Sequence, residues 1–81
     1  MVDASQIREH MEVVGSDGGH VGKVDHVEGQ RLKLTRTDPA AGGTHHYIHL
    51  DSVAGVEGDK VRLNRTTQQA QDEWGVAQVG G

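Results

Sequence analysis

Met11-Glu-Val-Val-Gly-Ser-Asp-Gly-Gly-His-Val-Gly-Lys-Val-Asp-His-Val-Glu28 is the stretch on which the fold turns. It reads as strand, tight turn, strand, with Asp17-Gly18-Gly19 at the turn. Turns that pass through φ > 0 favour glycine and Asp or Asn, and both kinds are present here. In the second strand the apolar residues Val21, Val24 and Val27 fall three apart, not two. A flat strand cannot put all three on one face. A bulged or strongly coiled strand can, and small barrels use such bulges at their corners.

Outward from this hairpin the pattern continues as a β-meander. Glu28-Gly29 is a turn, and Arg31 to Thr35 alternates with Leu32 and Leu34 inward. Residues 37–44, with the only proline and paired glycines, form the longest loop. His45 to Leu50 is a strand with His46, Ile48 and Leu50 on one face. Val53 to Val56 and Lys60 to Leu63 follow, separated by Glu57-Gly58-Asp59. Glycine turns recurring about every fourteen residues mark short antiparallel strands. Closing such a meander removes edges that would otherwise pair with other chains. The expectation is an all-β fold with one short C-terminal helix, a small antiparallel β-barrel of about 5–6 strands. One domain spans residues 1–75, and residues 76–81 form a flexible tail. The helix covers about 66–74. Thr66 and Gln69 fit a capping box, Ala70 and Trp74 share a face, and Gly75 is placed to end it as a left-handed cap. Trp74 is expected to plug an open end or flank of the barrel.

Composition sets the margins. With 81 residues the chain can bury one modest core. Hydrophobic residues make up 33%, and a core of Val and Leu favours sheet over helix. The formal charge of −4 argues against generic binding to nucleic acid or to anionic membrane. Six histidines make that charge, and with it solubility and self-association, sensitive to pH between about 5 and 7. Without cysteine there are no disulfides, thiolate metal sites or cysteine nucleophiles. No basic, apolar leader opens the chain and no apolar run approaches the ~20 residues of a membrane span. A cytoplasmic location is therefore expected.

The hairpin from Val14 to Val27, with an aliphatic residue, a glycine, one variable residue and a valine after its turn, resembles the opening hairpin of the PRC-barrel superfamily. Asp38 to Ile48, followed by Leu50-Asp-Ser-Val53 and a Thr-rich helix start ending in Trp74, is similar to a narrower group. These are small stand-alone bacterial domains of this type, whose function is unknown. The resemblance covers roughly residues 2 to 75. It implies a barrel whose role is docking, holding partners in position. The superfamily includes the cytoplasmic domain of the photosynthetic reaction-centre H subunit and a domain of a bacterial ribosome maturation factor. His49 stands where relatives often carry proline.

Chemistry-bearing residues are few. The histidines raise the question of a zinc site. His45 and His46 point to opposite faces, and His45 and His49 lie about 13 Å apart at ~3.3 Å per residue. A site would have to join histidines across strands, with His20, His26 and His46 as candidates. Their alternative role is to hydrogen-bond turns and flank the barrel. Ser5, Ser16 and Ser52 lack a nucleophile elbow, and a filled barrel leaves little room for substrate. Neither catalysis nor a cofactor is expected. Arg31, Lys33, Lys60 and Arg62, with Arg36 and Arg65 nearby, would form a basic stripe if their strands were neighbours. Its readings are an anion, RNA or self-assembly contact, or a solvated face that discourages edge pairing. His45, Tyr47 and His49 form the preferred partner-binding face, since an exposed tyrosine flanked by imidazoles combines apolar area with adaptable hydrogen bonding. The leading expectation is a non-catalytic interaction or assembly module acting on a protein partner or as a homodimer. The alternatives are a histidine-based metal-binding protein and an RNA- or ribosome-associated factor.

Overall fold

The computed structural model describes residues 6–39, 42–43 and 45–76. Six strands stand where the alternation places them: β1 (Glu12–Val14), β2 (His20–Glu28), β3 (Arg31–Leu34), β4 (His46–His49), β5 (Val53–Glu57) and β6 (Lys60–Leu63). The helix α1 (Thr67–Glu73) and a two-residue strand β7 (Gly75–Val76) complete the order. All strands join one sheet in the order β5-β6-β1-β2-β3-β4-β7.

The long β2 is shared by both halves of this sheet, and its irregularities explain the spacing of its valines. Val24 faces Leu34 while His26 faces Lys33, so Asp25 is an extra residue on β2. A second irregularity, between Val13 and Val14 of β1, leaves Val21 as the extra residue. Each extra residue resets the alternation. Val21 and Val24 thereby reach zero exposure, and Val27 packs against the same core. Val13, Leu32, Leu34, Val61 and Leu63 join them at 1% exposure or less. Burying each such side chain contributes about 1.5–3 kcal/mol.

The expected antiparallel barrel is corrected in two respects. First, β1 and β6 pair in parallel, so the sheet is mixed. Five hairpin reversals would leave β6 antiparallel to β1. The connection from β4 to β5 is not a hairpin. The 3-10 turn Leu50–Ser52 carries the chain to the other half of the sheet, and the pairings then require β4 and β5 to run the same way. Second, among the described residues the ladder starts at β5 and ends at β7 with no rung between them. The sheet wraps one core without being hydrogen-bonded into a closed barrel.

α1 is held at both ends. Thr66 and Gln69 form the expected capping box. Beyond it, Asp17 Oδ1 accepts hydrogen bonds from the Thr67 backbone N–H at 3.1 Å and from its hydroxyl at 2.7 Å. The β1–β2 turn therefore docks on the helix start, and Gly15 and Gly19 are glycines because Thr67 leaves no room for a Cβ. At the other end Trp74 stacks on the buried His46 of β4, with ring centroids 3.8 Å apart. Trp74 flanks the core and does not enter it fully. It also ends the helix by turning extended (φ −64°, ψ 138°), and Gly75 opens β7 where a left-handed cap was expected. Val76 belongs to β7, so the expected tail loses its first residue to the sheet; 77–81 lie outside the described residues.

Candidate interaction surface

Strand alternation sorts β3 and β4 into two faces. Leu32, Leu34, His46 and Ile48 are buried, while Arg31, Lys33, Tyr47 and His49 face outward. The register then sets the outward residues in two rows. One runs His26–Lys33–Tyr47–Gly75 and the other Glu28–Arg31–His49. Tyr47 is half-buried. The Arg31 guanidinium lies over its ring, 4.6 Å from the centroid, within the range of a cation–π contact. On its other side the row continues to Gly75, which carries no side chain, so among the described residues no cross-strand side chain covers that flank of the ring.

The charges on this face are unbalanced. Glu28 is the cross-strand neighbour of Arg31, but its carboxylate lies 3.3 Å from His26 Nε2. Among the described residues no carboxylate comes within ion-pair distance of Arg31 or Lys33. On β6 the opposite holds. Lys60 Nζ lies 3.6 Å from Glu12, and Arg62 Nε donates to Glu57 at 3.0 Å. Arg62 also donates to the Ser16 carbonyl at 3.1 Å. The expected basic stripe is therefore split. Its β3 half lies beside Tyr47, and its β6 half is three positions away in the sheet and neutralised, because β1 and β2 enter between them.

Of the three residues expected to contact a partner, two stay together. Tyr47 and His49 share the outward face, but His45 turns back and its Nδ1–H donates to the Leu34 carbonyl at 2.9 Å. The three candidate metal histidines are not brought together. His20 sits at the start of β2, His26 lies beyond the bulge between Asp25 and Glu28, and His46 is stacked on Trp74. Among the described residues no group of three or more His, Asp or Glu side chains is arranged to hold a metal ion.

His20 has a structural assignment that the sequence did not announce. Its Nδ1 lies 2.8 Å from a Glu12 carboxylate oxygen and its Nε2 2.8 Å from one of Asp38, an arrangement that favours the imidazolium, in which both ring nitrogens donate. Partial burial pulls its pKa down, but the hydrogen bonds to the two carboxylates outweigh this and hold it above its ordinary value. The same contact holds the Glu12 carboxyl below its usual range. Asp17 is likewise lowered, chiefly by the Thr67 hydroxyl and then by the Thr67 backbone N–H. The Glu12 contact was within reach of sequence reasoning, since β1 and β2 are neighbours. Asp38 lies in a loop whose path no local pattern predicts.

Residues 8–12, Lys23 and 58–60 border a shallow open cleft. His10 sits beside it in the left-handed region, at φ 72°. The described residues that line the cleft are mostly charged, including Arg8, Glu9, Glu12 and Lys60. Among the described residues no helix is long and apolar enough to cross a membrane.

The family described as "Uncharacterized protein conserved in bacteria (DUF2171)" matches residues 7–71, so the chain belongs to it. That span holds the hairpin, all six longer strands and most of α1. No curated protein and no solved structure matches the chain.

Proposed function

We propose that this member of the family is a non-catalytic interaction module of PRC-barrel type, acting in the cytoplasm, and that the outward face of β3 and β4 docks a protein partner. The observation that carries the reading is Tyr47, half-buried under Arg31 at 4.6 Å and, among the described residues, with no cross-strand side chain on its Gly75 flank. An aromatic ring already held in place loses little side-chain freedom on binding, and this is how interface anchors work. Lys33 and His49 supply polar contacts around it.

The test is quantitative capture from the native cell with three forms of the chain: unaltered, Tyr47→Ala, and Lys60→Ala as a control on β6. Oligomer mass is read in parallel. Loss of a captured protein, or of a homodimer, with Tyr47→Ala alone supports the reading. Identical capture and mass for all three removes this face from consideration.

A further inference from the structure

We infer that the docked partner presents an extended acidic segment, with carboxylates on alternate residues, to Lys33 and Arg31. This rests on the docking reading above and adds the partner's chemistry. The argument begins with charge. The chain carries a net charge of −4, and the cations of β6 and of the α1 approach are matched: Lys60 with Glu12, Arg62 with Glu57, and Arg65 with Glu73 at 2.8 Å. Arg31 and Lys33, like Arg8, Lys23 and Arg36, are in no ion pair among the described residues, and these two are the ones in register with His49 and Tyr47, while the carboxylate across the strand from Arg31 lies against His26. Two neighbouring outward cations beside an aromatic ring are complementary to carboxylates.

Spacing narrows the partner further. Arg31 and Lys33 are two residues apart on one strand, about 6.6 Å along it. An extended chain laid along β3 repeats its own side chains at the same interval, so every second residue meets a cation. Tyr47 and His49 repeat that interval on β4, facing Lys33 and Arg31 in register. The apolar edge of such a segment would rest against the Tyr47 ring. A nucleic acid suits this face less well. Phosphate-backbone affinity grows with the number of cations engaged, and the face has two on a chain that is acidic overall. A second copy of the chain brings its own −4, with many of its carboxylates already engaged.

The experiment is an NMR titration of the isotope-labelled chain at low ionic strength. The probes are a capped peptide of alternating glutamate and threonine, one of equal composition with its glutamates in adjacent pairs, one with lysine replacing glutamate, and an oligouridylate. The inference expects the alternating acidic peptide to shift the amides of Arg31–Leu34 and His46–His49. It also expects binding to weaken about tenfold with Lys33→Glu, to hold with Lys23→Glu, and to fall as salt is raised. The paired-glutamate peptide should bind more weakly. Both substituted lysines are on the surface, and the amide dispersion of each variant reports that it folds. Equal binding of the two acidic peptides overturns the spacing. Preferential binding of the lysine peptide or the oligouridylate, or no shift on β3 and β4 with any acidic peptide, overturns the partner's chemistry. If that chemistry fails while Tyr47→Ala still changes capture from the cell, the docking reading survives. If both fail, the face has no docking role.

Discussion

Substituting Gly15 by alanine tests how the hairpin is fastened to the helix. A Cβ at position 15 would lie 2.4 Å from the Thr67 backbone nitrogen, 2.7 Å from its hydroxyl and 2.8 Å from Asp17 Oδ1. The first of these atoms is backbone, so a change of rotamer cannot relieve it and α1 must move away from the turn. The movement strains the two hydrogen bonds from Thr67 to Asp17 and displaces Trp74 from His46 at the far end of the helix. Overpacking of this kind costs about 1–3 kcal/mol. In a domain of this size each kcal/mol lowers the melting temperature by about 4–8 °C. Two internal controls set the scale. At Gly55 nothing lies within 4 Å and φ is not in the left-handed region, so Gly55→Ala should be neutral or slightly stabilising. Gly18 is equally open but at φ +85°, so Gly18→Ala carries a conformational penalty of about 1 kcal/mol without any clash. At Gly19 the tightest contact is the Thr67 hydroxyl, at 2.3 Å, so Thr67→Ala should partly rescue Gly19→Ala and should not rescue Gly15→Ala. The assay is thermal unfolding followed by circular dichroism and by Trp74 fluorescence. Equal melting of Gly15→Ala and Gly55→Ala, or equal rescue at both glycines, would refute the docking of the turn on Thr67.

Other expectations concern titration, packing and the face. His20 is held between Glu12, which also faces Lys60, and Asp38, and its folded pKa is raised above 6.5. Its contribution is therefore complete below about pH 6.5 and fades as pH rises through the folded value. Glu12, held below its ordinary 4.5, adds stability above that pH and loses it as pH falls through its folded value. Chemical denaturation across pH should thus show the unaltered chain exceeding His20→Gln by most between these limits, and a gap that widens toward pH 8 would contradict the assignment. Replacing His46 by alanine removes a stack worth about 0.5–1.5 kcal/mol beyond its buried area. It should lower the melting temperature and shift Trp74 emission to the red, whereas His46→Phe should retain most of both. Lys33→Glu should change stability by no more than about 0.5 kcal/mol, so any effect on binding comes from the face; a large loss of stability in urea titration would show that Lys33 is part of the fold.

The elements that were legible in the sequence are those set by local chemistry. Alternation at Arg31–Leu34 and Lys60–Leu63 located strands and their inward residues, the three-residue spacing of Val21, Val24 and Val27 announced a bulge, and Thr66 with Gln69 announced the helix cap. What was not legible depends on how distant segments meet. Nothing near Leu50–Ser52 says that the chain will cross to the other half of the sheet without reversing, so the parallel β1–β6 pair and the separation of β3 from β6 were hidden. The basic stripe failed for that reason. Asp17 and Gly19 were read as turn residues only, because their second role needs Thr67, fifty residues beyond Asp17. His45 was placed on the contact face by alternation, yet it lies just before β4 begins and turns to the Leu34 carbonyl.

The docking claim meets its most direct test in the three lysines. Lys23, Lys33 and Lys60 lie on β2, β3 and β6, and of the three only Lys33 is in the rows that carry Tyr47 and His49. Brief acetylation of the chain alone and of its complex captured from the native cell, read by mass spectrometry, compares all three sites in one measurement. Docking on β3 and β4 predicts that Lys33 becomes several-fold slower to acetylate in the complex while Lys23 and Lys60 keep their rates. Unchanged reactivity at Lys33 together with protection at Lys23 or Lys60 would contradict it.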